Sequence, residues 1–249
     1  MSAPPASLTD RSSRPSLATL AVVEGRKMLD TRAGLWLLIL TALAAVGGTL
    51  GQSLGNSHSQ AGEVFFTAVQ AVSLLLPVVG ILLVTSEWSQ RTGLVTFVLV
   101  PVRWRIVVAK MIAATVIALA AALICLALGL LGGTLLGGGN EITAVGITRG
   151  SLFLVIAVLI GVGLGLAFQN SPFAIVFNFV GPLLISAIGA ISSSINDVTV
   201  WLDQSILPSL PDNADLSSEE WRKVAVTVLV WAAIPLLAGA LRLRREDID

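Results

Sequence analysis

The sequence predicts an all-α, polytopic membrane protein with six transmembrane helices, an amino-terminal interfacial helix and a cytoplasmic elbow. Three observations carry that expectation: a hydrophobic composition poor in charge, five long runs without Asp, Glu, Lys or Arg, and basic residues gathered in three segments. Of 249 residues, 55% are hydrophobic and 12% charged, with a mean hydropathy of +0.90. Soluble domains carry about 25% charged residues, so there is too little charge here to coat a soluble surface. The apolar content excludes a disordered chain, the absence of a glycine period excludes collagen, and a single cysteine excludes a disulfide scaffold.

A helix needs about 20 apolar residues to cross the hydrocarbon core. The uncharged runs are Ala33 to Gly62, Val64 to Ser86, Met111 to Asn140, Gly150 to Asn196 and Val224 to Leu241. The fourth has 47 residues, enough for two passes, and Gln169-Asn170-Ser171-Pro172 divides it. Proline cannot continue the helix before it, so a turn is expected there. Six spans result, near residues 35–51, 64–84, 111–136, 151–168, 173–191 and 224–241. An even number places both termini on one side.

Lysine and arginine select that side. Arg11, Arg14, Arg26, Lys27 and Arg32 precede the first span; Arg91, Arg103, Arg105 and Lys110 separate the second from the third; Arg242, Arg244 and Arg245 follow the last. Those are 12 of the 15 basic residues, against Arg149, Arg222 and Lys223 on the opposite face, which also carries eight acids. Both termini are therefore expected in the cytoplasm. Twelve arginines to three lysines, with abundant Ala, Val, Leu and Gly, suggest a GC-rich bacterial genome, and the expected location is a bacterial plasma membrane. The first apolar run is too long and too far along the chain for a signal-peptide core.

Residues 1–15, rich in Pro and Ser, read as a disordered cytoplasmic tail ahead of a transmembrane domain, 16–249. Residues 16–33 follow as an amphipathic helix, with Leu17, Leu20, Ala21, Val23 and Leu29 interleaved with Glu24, Arg26 and Lys27. Such a helix is expected to lie in the interface, its apolar face in acyl chains and its basic residues at headgroups. The connection 85–110 is far longer than joining two spans requires. Glu87 and Arg91 are spaced i,i+4, a short apolar stretch from Leu94 to Val100 ends at Pro101, and Arg103, Arg105 and Lys110 are expected to anchor the next helix at the headgroups.

On the other face, 192–223 is the largest loop. Ile195, Val198, Trp201 and Leu202 fit one side of a short interfacial helix. Ser217-Ser218-Glu219-Glu220 reads as a capping box, with Leu216 and Trp221 placed as a staple. A small lid and a substrate-contacting element fit this segment equally well. Within the bilayer, Gly47/Gly51, Gly133/Gly137 and Gly161/Gly165 are small-xxx-small pairs suited to close helix contact. Pro77, Pro182 and Pro235 interrupt backbone bonding within their spans. The polar residues at depth are Gln70, Thr115, Asn178 and Ser186, which either bond between helices or line a substrate path. No ionisable residue is expected near the bilayer centre, which argues against an ion-coupled carrier.

No phosphate-cradling G-x-x-x-x-G-K-[ST] occurs, and one His and one Cys far apart make metal ligation an unlikely design. Gly51-Gln52-Ser53-Leu54-Gly55 matches G-x-S-x-G, with His58 and Glu63 nearby. A nucleophile elbow needs a strand-to-helix turn with its acid and His much further along, so an intramembrane serine hydrolase is a remote alternative.

At the elbow the chain resembles the type-2 ATP-binding-cassette (ABC) permease family, the membrane subunits of many bacterial exporters. The resemblance lies in Glu87-Trp88-Ser89-Gln90-Arg91-Thr92, Pro101-Val102-Arg103 and Ala109-Lys110, with Glu24-Gly25-Arg26-Lys27 resembling the family's interfacial helix. It implies the membrane-spanning subunit of an ATP-driven exporter, forming the translocation path. Glu87, Arg91, Thr92 and Pro101 would couple to the ATPase, and Glu24, Arg26, Lys27, Arg103 and Lys110 would be interface anchors. No catalytic site and no bound cofactor are implied for this chain, since ATP and Mg would belong to the partner ATPase. The implied partners are two copies of that ATPase, a second permease chain in a homodimer, and membrane lipid, with no nucleic acid. A non-transporting scaffold or regulatory subunit is the alternative from another class.

Overall fold

The computed structural model describes residues 16–55, 58–89, 103–210 and 216–245. Among them every regular element is helical: α1 Leu17–Asp30, α2 Arg32–Gly55, α3 Ala61–Ser89, α4 Arg103–Leu135, α5 Ala144–Phe168, α6 Ser171–Gly189, α7 Ser193–Thr199, a 3₁₀ turn Gln204–Ser209, α8 Ser218–Val228, a π turn Leu229–Ala233 and α9 Ile234–Arg245. Six segments are long and apolar enough to cross a membrane: Arg32–Gln52, Ala61–Ser86, Trp104–Leu135, Ala144–Phe168, Ser171–Gly189 and Ser218–Arg242. The protein is an all-α, multi-pass membrane protein.

Each span predicted from an uncharged run is present, and its ends follow from local chemistry. Ser16 caps α1, its hydroxyl accepting from the Thr19 amide at 3.1 Å. Thr31 breaks the chain between α1 and α2, and its hydroxyl accepts from Gly34 N at 3.2 Å. A side chain at Gly34 would collide with the Met28 carbonyl, so that corner requires glycine. The 169–172 turn forms as expected. Gln169 adopts φ +51° as the α5 cap, Asn170 accepts from Phe173 N at 3.0 Å, and Pro172 sits in the first turn of α6. The capping box is complete: Ser217 Oγ accepts from Glu220 N, and the Glu220 carboxylate accepts from Ser217 N at 2.7 Å.

One boundary differs from expectation, and one span is locally irregular. The helix of the third crossing begins at Arg103, not near 111, so Lys110 lies more than a turn inside α4. The cause is a partner for Lys110, described below. In the last crossing, the π turn comes just before Pro235, which has no N–H for the carbonyl four residues back.

The core centres on α3 and α5, the spans most enclosed by their neighbours, with α2, α4 and the α8–α9 segment around them. The Gly161/Gly165 pair fulfils its expected role: a Cβ at Gly161 would overlap the Pro77 carbonyl, and one at Gly165 would lie 3.1 Å from Ile81 O. Gly80 on α3 abuts α5 in the same way, so the two helices meet backbone to backbone. Gly47 and Gly51 instead face open space, while Gly48 packs on Thr67 O. Gly133 packs on Ala61, whereas Gly137 has φ +71° and ends the helix. By contrast α6 is peripheral: Phe173, Val176, Leu183, Leu184 and Ile188 are exposed along it.

Candidate functional site

Two constellations stand out, one at each end of the bundle. With six crossings, α1, the 90–102 connection and the end of α9 share one end.

At that end, Glu24 projects into the bundle. It is 4% exposed, and Lys110 is 2% exposed. Lys110 Nζ lies 2.5 Å from Glu24 Oε2 and donates to the Leu83 carbonyl at 3.0 Å, while Lys27 Nζ reaches Glu24 Oε1 at 2.6 Å. One carboxylate thus binds α1 to the start of α4, and the same ammonium reaches the last turns of α3. The expectation of Lys110 and Glu24 as headgroup anchors is corrected: both are inside the protein, because each neutralises the other. The orientation of α1 changes with it. Ala21, Glu24 and Met28 are buried, whereas Val22, Val23 and Leu29 face outward with Arg26. Of the sequence-predicted anchors, Arg26 is exposed, Lys27 is half-buried beside Glu24, and the Arg103 side chain lies outside the described residues, as does that of Glu87. Glu87 belongs to the final turn of α3 by its backbone. Arg91, Thr92 and Pro101 also lie outside the described residues.

At the opposite end, residues 203–208 fold over a cavity of about 420 Å³ between α3, α5 and α6. Four side chains tie this cap down. Gln70 Nε2 donates to Pro208 O at 2.7 Å, Trp231 Nε1 to Leu202 O at 2.7 Å, Thr227 Oγ1 to Asp203 O at 3.3 Å, and Ser186 Oγ to Asp203 Oδ2 at 3.3 Å. Asp203 Oδ1 accepts from Ser205 N at 2.9 Å. Residues 202–208 therefore form a structured cap, and the 203–208 stretch also lines the cavity.

Asn178 and Ser186 both line that cavity, together with Asp203 and Gln204. Gln70 does not line it but supports its cap. Thr115 is elsewhere, on α4, and its hydroxyl donates to Met111 O at 2.9 Å within its own helix. Asn178 is 7% exposed and its Oδ1 has no protein partner; nor does Gln204 Nε2. An unpaired buried polar group costs about 1–3 kcal/mol, so both are sites where a ligand atom would be favoured. Apart from Ser73 and Ser205 the remaining walls are apolar, with Leu74, Phe153, Ile160, Phe179 and Leu183 among them. Sequence reasoning found Asn178 and Ser186 as polar residues at depth; it missed Asp203 and Gln204, whose loop position gave no periodic signal.

The G-x-S-x-G segment belongs to the last turns of α2, which continue through Gly55. A helix cannot present the strand-to-helix elbow that a hydrolase nucleophile needs. Compared with models of known protein families and with curated proteins, the sequence matches none.

Proposed function

We propose that this protein is the membrane-spanning permease subunit of an ATP-binding-cassette exporter in a bacterial plasma membrane, with both termini cytoplasmic, working as a homodimer with two copies of a separate ATPase. One observation carries the proposal: Glu24 and Lys110 join the amino-terminal helix to both helices that flank the 90–102 connection. A force applied to that connection by a cytoplasmic partner reaches α1, α3 and α4 together, as a coupling elbow requires. ATP binding would close the ATPase dimer and draw the two elbows together. The cavity at the far end would then change its access, with ligand shifting the population between states by its different affinity for each. Glu87, Arg91, Thr92 and Pro101 are the residues proposed to meet the ATPase, on the strength of their resemblance to the family motif.

The test is reconstitution in proteoliposomes together with an ATP-binding-cassette protein encoded beside the gene. ATP-dependent movement of solute, lost with Glu87→Ala while assembly of the chain stays normal, is the expected result. A complex that hydrolyses ATP and transports at the wild-type rate with Glu87→Ala removes that residue from the coupling. Failure of any ATPase to associate favours a scaffold instead.

A further inference from the structure

We infer that the cavity under the 203–208 cap is a binding site for a small amphipathic cation: an apolar body with a protonated amine at one end and an N–H or O–H donor further in. Its volume of about 420 Å³ lies in the 300–1,000 Å³ range usual for small-molecule sites. The apolar walls accommodate the body, and the polar groups specify its ends.

At the cap, Asp203 is the one ionisable residue lining the cavity among the described residues. A carboxylate has about four lone-pair sites, and two here are engaged, by Ser205 N and by a long bond from Ser186. Capacity for an ammonium remains, and with no basic residue among the described lining residues no charge there neutralises an anion. Beside it, Gln204 Nε2 has no protein partner, so its N–H groups can donate to a ligand oxygen. Deeper in, Asn178 Oδ1 is a buried acceptor without a protein partner. It sits eight residues from Ser186 on α6, roughly 12 Å along the axis at 1.5 Å per residue. With Asp203 bonded to Ser186, the two acceptors lie toward opposite ends of that stretch of α6, and they select a ligand with two separated donors. Leu74 and Leu183, both well exposed, form a rim on the side of the bundle. The ligand therefore enters from the membrane, where amphipaths partition.

The inference deepens the transport proposal and rests on it only in calling this ligand a substrate. Binding needs no ATPase, so either can fail without the other. The probe is monodansylcadaverine, whose amine and sulfonamide N–H are joined by a five-carbon chain, added to the full chain in phosphatidylcholine nanodiscs and read by tryptophan-to-dansyl energy transfer. Saturable binding is expected above the level of empty nanodiscs. Asp203→Asn, which keeps the size of the side chain, and Asn178→Leu should each weaken it at least tenfold. N-dansyl-6-aminohexanoate, with a carboxylate in place of the amine, should not saturate. Asn178→Leu should leave the unfolding temperature unchanged or raised, since it removes an unpaired buried carbonyl. Leu183→Trp, at the exposed rim, should narrow the mouth and cut binding without touching the packed core. Uptake no greater than in empty nanodiscs, equal affinity in all three variants, or equal binding of the carboxylate probe would overturn the assignment.

Discussion

Replacing Glu24 with alanine removes a carboxylate that neutralises a buried cation. Lys110 is 2% exposed and would lose its ion pair with Glu24 while keeping the Leu83 carbonyl, 3.0 Å away. Breaking a buried pair in this way costs about 3–5 kcal/mol. Lys110→Ala should be milder, because Glu24 keeps Lys27 at 2.6 Å, and the Lys27 side chain is 36% exposed. Lys27→Ala removes only that more exposed partner and should cost about 0–1 kcal/mol. The double variant Glu24→Leu with Lys110→Met replaces both charges with apolar groups of similar size, and such replacements are commonly neutral or stabilising by about 1–4 kcal/mol. Cys125 supplies the assay. It is the chain's single cysteine and is fully buried on α4, so a thiol-reactive dye reports loss of packing as temperature rises. The expected order of destabilisation is Glu24→Ala, then Lys110→Ala, then Lys27→Ala, with the double variant near wild type. Glu24→Ala labelling at the same temperature as Lys27→Ala would refute the argument that this pair holds α1 to the bundle.

Other expectations follow from the same packing. Gly161→Leu should prevent α3 and α5 from meeting at Pro77, giving protein that labels at Cys125 well below the wild-type temperature, whereas Gly47→Leu, facing open space, should be tolerated. Trp231→Phe removes the bond to Leu202 O and should cost about 1 kcal/mol, visible as faster hydrogen exchange of the cap amides and little change elsewhere. For topology, single cysteines placed at exposed Glu141 and Arg242 in a Cys125→Ser background should label from opposite sides of the membrane, Glu141 from outside intact cells. Purified alone, the chain should neither bind nor hydrolyse ATP; specific nucleotide binding would remove the two-component proposal.

The spans were legible in the sequence because burial in hydrocarbon imposes a long apolar run that nothing else in the chain imitates. Turn and cap chemistry at 169–172 and 217–220 was equally local and equally readable. What escaped was pairing at a distance. Lys110 reads as the edge of the membrane until Glu24, 86 residues earlier, is seen to neutralise it. Spacing could suggest Glu87 with Arg91, but no periodicity links α1 to α4. The glycine pairs show a similar limit, since helical spacing identifies a small stripe without saying whether another helix faces it. Asn178 and Ser186 were found because polarity is conspicuous in an apolar span. Gln204 and Asp203 were not, being unremarkable in a polar loop until the chain folds back over α6.

Three of the four bonds that fasten the cap end on main-chain carbonyls, those of Leu202, Asp203 and Pro208. Carbonyls are present whatever side chain follows, while the donors Trp231, Thr227 and Gln70 all belong to the spans. The lid's attachment is therefore encoded in the helices, and its cavity-facing chemistry is encoded separately in its own residues. Substitutions at 203–205 can change what the cavity accepts while the cap stays seated, so selectivity is free to diverge in this protein without a new fold having to be found.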